Sequence, residues 1–227
     1  MHHDLRGART RVVLVDDGSQ TRDTFHLAYP ALEVVSTHAT VEGLLAQLPE
    51  ADLVVLDLML STKYQRPALL QGPAAITQLV GLGYTVCLYT DERRPLVLAQ
   101  CLAAGAIGIA RKSDPLMDNQ RVFQRVAAGR TVIPNSLDGL AELLHRRGQL
   151  PSLTTRQRQV LAGRARGEPW QLLARRLGIT PKTGYDRMEA VNRRMVSYLQ
   201  QAGLGLNFSP ADIERVLGLA PGDLLDS

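Results

Sequence analysis

The sequence predicts an α/β fold, a doubly wound five-stranded parallel sheet, followed by an all-α domain. Three observations predict it. Apolar runs alternate with helical patterns five times over the first 130 or so residues. Two of those runs end in carboxylates, Asp16-Asp17 and Asp57. The basic excess of the chain is confined to its C-terminal part.

Taken in order, strand-like runs fall near 11–16, 32–36, 52–57, 84–90 and 106–110. Helix-like segments fall near 19–28, 40–48, 72–81, 94–104 and 114–128. Five βα units in succession imply parallel strands, because parallel neighbours need a crossover and the helices cover both faces of the sheet. In such sheets the ligand site lies beyond the C-terminal strand ends, where the strand order reverses. Asp16, Asp17 and Asp57 are placed there. Buried carboxylates are expensive unless something offsets their charge, so the cluster implies a bound metal, a shared proton, or both.

Composition bounds what such a pocket serves. The chain has 227 residues and 45% hydrophobic content, enough for two ordinary domains. Aromatics are scarce at 4%, with Trp170 the only tryptophan, which disfavours stacking on single-stranded nucleic acid. Cys87 and Cys101 read as core residues of a protein from a reducing cytoplasm. No apolar run approaches the roughly 18 residues of a membrane helix, so no membrane partner is expected, and His2-His3 reads as terminus rather than metal site. Residues 1–134 carry 13 Lys plus Arg against 13 Asp plus Glu, whereas 146–201 carries 12 against 3. The second is a polyanion-binding footprint.

Two further residues occupy matching strand ends. Thr90 closes Val86-Cys87-Leu88-Tyr89-Thr90, and Lys112 follows Gly105-Ala106-Ile107-Gly108-Ile109-Ala110-Arg111. With Val15-Asp16-Asp17 and Leu56-Asp57-Leu58, this pattern resembles the flavodoxin-like receiver domain of two-component response regulators over about residues 10–130. The resemblance implies that Asp57 is the phosphoacceptor. It implies Mg²⁺ held by Asp17 and Asp57 with the Met59 carbonyl, Asp16 acting from the outer shell. It also implies that Lys112 and Thr90 bind the phosphoryl oxygens.

The chain departs from that family in places. Ser61 stands where the family has proline, and the loop to Gln71 is about 7 residues longer than usual. Asp91 and Glu92 add negative charge after Thr90, and Ile109 replaces an aromatic switch residue. These departures keep open a second reading, a phosphorylation-independent regulator whose pocket answers to a small ligand or protein partner. An enzyme using Asp57 as a turnover nucleophile needs a second acid or base and a substrate pocket, and the sequence offers neither, so no enzymatic activity is expected.

A connector follows the receiver-like region, with a helix near 136–147 and punctuation at Gly148 and Pro151. The expected division is a receiver domain over 1–134, a linker over 135–151 and a DNA-binding domain over 152–227. From Leu153-Thr154-Thr155-Arg156 through Leu173-Ala174-Arg175-Arg176-Leu177-Gly178-Ile179-Thr180-Pro181-Lys182-Thr183, the chain resembles the helix-turn-helix domain of LuxR/FixJ-type regulators. Thr180 reads as an N-cap with Pro181 at the first helical position. The resemblance implies that the helix from Pro181 to about Gln200 reads the major groove of double-stranded DNA. Its candidate contacts are Lys182, Thr183, Tyr185, Asp186, Arg187, Glu189, Arg193 and Arg194.

Here too the chain departs, since Gly184 and Tyr185 replace the usual Val-Lys. Asp186 and Glu189 can accept from cytosine N4 but repel phosphate, so a cytosine-containing half-site and modest affinity are expected. A last helix capped by Ser209 and stopped by Gly218 corresponds to the one for which the resemblance implies a dimer contact; it is set back by the extra stretch 196–208, which leaves open a shifted contact, an added partner surface or plain packing on the bundle. Together these readings imply a cytoplasmic, homodimeric transcription regulator switched by a sensor histidine kinase.

Overall fold

In the computed structural model the described residues are 9–60, 70–204 and 208–223. They form two compact units, one of 1–91 with 108–130 and one of 92–107 with 131–227. His2-His3, Ser61 and most of the long loop to Gln71 lie outside the described residues.

The first unit holds β1 (Thr10–Val15), α1 (Ser19–Ala28), β2 (Leu32–His38), α2 (Val41–Gln47), β3 (Leu53–Leu56), α3 (Gly72–Gly81), β4 (Val86–Tyr89), β5 (Gly108–Ala110) and α5 (Leu116–Ala127). The strands form one parallel sheet in the order β2-β1-β3-β4-β5. Val12 to Val15, Leu53 to Leu56 and Val86 to Leu88 are wholly buried. Continuous apolar runs of that kind are what a sheet covered on both faces requires. The order reverses at β1, which lies between β2 and β3, and Val15 pairs with Leu56. That register brings the residues after β1 and β3 side by side.

An aromatic group completes this core. Phe25, Tyr29, Tyr89 and Phe123 lie with ring centroids between 4.6 and 6.4 Å apart. The Tyr29 hydroxyl donates to that of Tyr89 at 3.1 Å, so neither is buried unsatisfied. Cys87 and Cys101 are buried free thiols, as expected. Burial pushes both thiols up, Cys101 to about 12, which keeps them unreactive.

The second unit contains α4 (Pro95–Ala103), a 3-10 turn over Asn135–Leu137, α6 (Asp138–Arg146), α7 (Thr155–Ala165), α8 (Trp170–Leu177), α9 (Pro181–Gln201) and α10 (Pro210–Val216). Segment 92–107 groups here because α4 packs against α9, so the compact units do not follow a single cut near 134. The caps read from sequence at Thr180 and Ser209 are in place, and the structure adds one at Thr154. Thr154 and Ser209 form capping boxes, and Thr180 accepts from the Thr183 backbone N–H at 3.1 Å. Gly178 closes α8 at φ 62°, a left-handed conformation that glycine adopts without strain. Val160, Leu161, Leu173, Val191, Met195 and Leu199 make the core between α7, α8 and α9. No described helix is long and apolar enough to cross a membrane.

One polar pair interrupts this core. Asp138, at the start of α6, faces Arg164 of α7 at 3.6 Å, with side chains only 4% and 8% exposed. The gap is too wide for a good hydrogen bond, and burial pushes the Asp138 carboxyl up to about 6 despite the arginine. A raised carboxyl contributes stability in its protonated form below its unfolded value of 3.8, and that contribution is lost as pH rises through about 6. Asp138→Asn removes the ionisation. Its stability relative to wild type, from urea unfolding at pH 4 and pH 7, is expected to improve by about 2 kcal/mol at the higher pH.

Candidate phosphoacceptor site and DNA-reading helix

The strand ends converge as the topology requires. The Asp57 backbone N–H donates to the Val15 carbonyl at 2.8 Å and that of Thr90 to the Ala110 carbonyl at 3.0 Å. The turns after β1, β3, β4 and β5 are thereby held at one edge of the sheet. Asp16, Asp57 and Thr90 are buried, at 1%, 7% and 5% exposure, while Asp17 is exposed.

Lys112 ties the group together. Its Nζ donates to Asp16 Oδ2 at 2.7 Å and to Asp57 Oδ2 at 2.8 Å. The second oxygen of Asp16 accepts from the Gly18 N–H at 2.8 Å, and Asp57 Oδ1 accepts from the Met59 N–H at 3.4 Å. Burial raises the Asp57 carboxyl above the ordinary range; Lys112 pulls it part-way back, and the Asp16 charge pushes it up again. Burial alone would lower the Lys112 ammonium, but its bonds to Asp16 and Asp57 outweigh that and raise it.

Asp16, Asp17 and Asp57 each place a carboxylate oxygen within 4.8 Å of the others, so the cluster can hold a metal ion. Three hard oxygen donors suit a hard divalent cation. Asp16 and Asp57 are both bonded to Lys112, whereas Asp17 faces solvent.

The acidic residues after Thr90 are tied down. Asp91 accepts from the Ser113 N–H at 2.9 Å. Glu92 accepts from the N–H groups of Arg93 and Arg94 and from the Arg94 guanidinium, which holds its carboxyl down at about 2. Both are taken up in loop hydrogen bonds, because backbone donors at turns and helix starts attract short carboxylates.

Ile109 is 4% exposed, an apolar core residue. The aromatic beside the site is Tyr89 on β4, whose ring lies 5.6 Å from the Lys112 ammonium. Sequence reasoning missed Tyr89; its place immediately before Thr90 was the available signal.

On α9, the candidate DNA contacts divide by exposure. Lys182, Tyr185, Asp186 and Arg193 are exposed, and Thr183 and Arg187 are half-buried. Arg194 donates to the backbone and hydroxyl of Ser152. Glu189 is only 8% exposed, whereas Asp186 is exposed, so of the two carboxylates Asp186 is the one presented to solvent. Periodicity alone could not separate them, because the burial of Glu189 depends on which helices pack against α9.

No family profile and no curated protein matches the sequence. Among solved structures, the DNA complex of the two-component response regulator RcsB is similar at 17% identity and a TM-score of 0.51, covering 86% of this chain and 97% of that one. A structure of two RcsB dimers bound to two parallel DNAs is similar at 18% identity and 0.51, with the same coverage. The isolated receiver domain of RcsB from Salmonella enterica serovar Typhimurium, with phosphomimetic BeF3-, is similar at 18% and 0.50, covering 59% of this chain and 99% of that one. The likeness is one of fold, a five-stranded parallel sheet followed by a helix-turn-helix.

Removing the cation from the site should expose what it offsets. Lys112→Met leaves two buried carboxylates facing each other, so it is expected to lower stability at pH 7 by about 2 kcal/mol, with a smaller loss at pH 4 because burial holds the Asp57 carboxyl above its ordinary range. Denaturant unfolding at the two pH values measures this.

Proposed function

We propose that this chain is a DNA-binding transcriptional response regulator switched by phosphorylation of Asp57. The observation that carries the reading is the Lys112 ammonium bridging Asp16 and Asp57 beside solvent-facing Asp17, in a chain that also carries a helix-turn-helix. That arrangement sets a buried carboxylate nucleophile beside a cation and next to a solvent-facing carboxylate.

In the proposed reaction an Asp57 oxygen forms a bond to phosphorus as the bond from phosphorus to the donor breaks, the donor leaving as a carboxylate or an imidazole. Lys112 then pairs with a phosphoryl oxygen as a point charge, and Thr90 donates to another. Mg²⁺, held by Asp17, Asp57 and the Met59 carbonyl with Asp16 behind, supplies charge neutralisation when bound. The phosphoryl group draws Lys112 away from Asp16, a local change able to bias a two-state equilibrium.

The functional division into 1–134, 135–151 and 152–227 belongs to this proposal, with α9 as the DNA reader and α10 as a dimer contact. RcsB, of the same fold, is described as bound to DNA and as dimers on DNA. Double-stranded DNA, a second copy of the chain and a sensor histidine kinase are the partners proposed, with action in the cytoplasm.

Intact mass after incubation with Mg²⁺ and acetyl phosphate is expected to show one phosphoryl adduct on wild type and none on Asp57→Asn. A folded wild-type protein that gains no adduct would turn the reading to a phosphorylation-independent regulator. For DNA, Lys182→Ala and Arg193→Ala should each reduce the slope of log affinity against log salt by about 1. Arg194→Ala should in addition lower the melting temperature, because its guanidinium is tied to Ser152.

A further inference from the structure

The exposed face of α9 carries an aromatic residue where a DNA-reading helix of this type usually carries lysine, and the structure shows how that residue is held. The rings of Trp170 and Tyr185 lie 4.2 Å apart at an interplanar angle of 42°. Trp170 is the first residue of α8, and Tyr185 lies in the second turn of α9, so the contact joins two helices. Gly184 permits it. A Cβ built there would lie 3.1 Å from Trp170 Cζ3 and 3.3 Å from Cε3, tighter than side chains ordinarily pack. The valine usual at this position would push the indole away, and the glycine lets it lie on the helix backbone.

The tryptophan is itself fixed. The Arg164 guanidinium sits 4.7 Å from the Trp170 ring. Arg164 donates to the Glu168 carbonyl at 2.6 Å and faces buried Asp138. Asp138, Arg164, Trp170 and Tyr185 thus form a continuous run of contacts from α6 to the reading helix. Tyr185 ends that run 47% exposed, half packed and half presented to solvent.

We propose that Trp170 is a positioning residue for Tyr185, and that the Tyr185 ring so held selects thymine by contact with its 5-methyl group. The inference rests on the reading of α9 as the DNA-reading helix. The neighbouring Asp186 is exposed and repels phosphate, which turns this part of the helix toward base edges rather than the backbone. A tyrosine ring offers those edges an apolar surface, and thymine is the base whose major-groove edge carries a methyl group. A lysine in place of Tyr185 would favour phosphate or guanine acceptors. Packing the ring on Trp170 removes the rotamer freedom that would otherwise blur the contact.

The test begins with duplexes selected from a random library by the full-length protein. Each thymine of the selected half-site is then replaced by deoxyuridine, which deletes only the methyl group. One position is expected to lose about fourfold in affinity, the factor that burial of one methyl-sized group carries. That loss should vanish in Tyr185→Ala and persist in Tyr185→Phe. Trp170→Leu should shrink it while leaving low-salt affinity for unrelated duplex unchanged, and Trp170→Phe should restore it. Trp170 is the only tryptophan, so its emission should change on the selected duplex and change less when Tyr185 is alanine.

A selected site with no deoxyuridine penalty, or one whose penalty is the same in Tyr185→Ala, overturns the inference and leaves DNA binding standing. Equal losses on selected and unrelated duplex in Trp170→Leu would reduce Trp170 to a structural residue and overturn its positioning role. Failure to bind any duplex at low salt overturns the DNA-binding reading itself.

Discussion

The receiver-like half of this molecule depends on one ammonium group among buried carboxylates. A parallel sheet gathers its strand ends at one edge, and here that places Asp16 and Asp57 close together at 1% and 7% exposure. Without a cation, two such groups repel each other and each lacks the solvation that ionisation needs. Lys112 offsets both at once, at 2.7 and 2.8 Å, and its position at the end of β5 requires β5 to lie in register with β4. Sheet order, register and charge are therefore mutually dependent.

The same dependence makes the site responsive. On the proposed phosphorylation Lys112 would be drawn from Asp16, and Tyr89, whose ring lies 5.6 Å from its ammonium, is the aromatic placed beside that change. Tyr89 is packed with Phe25, Tyr29 and Phe123, and its hydroxyl is joined to that of Tyr29. With Ile109 buried on β5, the aromatic that touches the charged group has moved one strand over, and its neighbours are the rings that line α1 and α5.

Much of this was legible in the sequence because it is local or follows from topology. Apolar runs ending in Asp16, Asp57 and Thr90 located the site, since a parallel sheet places like strand ends together. Thr180 and Ser209 marked helix starts because a cap is a contact between residues three apart. What the sequence did not reveal depends on packing between elements distant along the chain. Glu189 looked like a reader on the helical period, yet it is buried. The Trp170–Gly184 complementarity is visible only when α8 and α9 are laid together, although a lone tryptophan and an unexpected glycine were each noticeable.

The basic excess illustrates the limit of counting charge. Twelve basic residues against three acidic over 146–201 suggests a broad polyanion surface. Several of those arginines are committed within the protein: Arg146 to Glu142, Arg147 to Asp223, Arg164 to Asp138 and Arg176 to Glu168. Arg194 is bonded to Ser152 as well. Three of the acidic partners, Asp138, Glu142 and Asp223, lie outside the basic segment in sequence, so the excess within it overstates the charge that reaches solvent. The exposed cations of α9 narrow to Lys182 and Arg193, with Asp186 between them. On the proposed reading of α9 as the DNA-reading helix, so few exposed cations would leave less of the affinity to phosphate and more to base edges, where a Tyr185 packed on Trp170 would contribute.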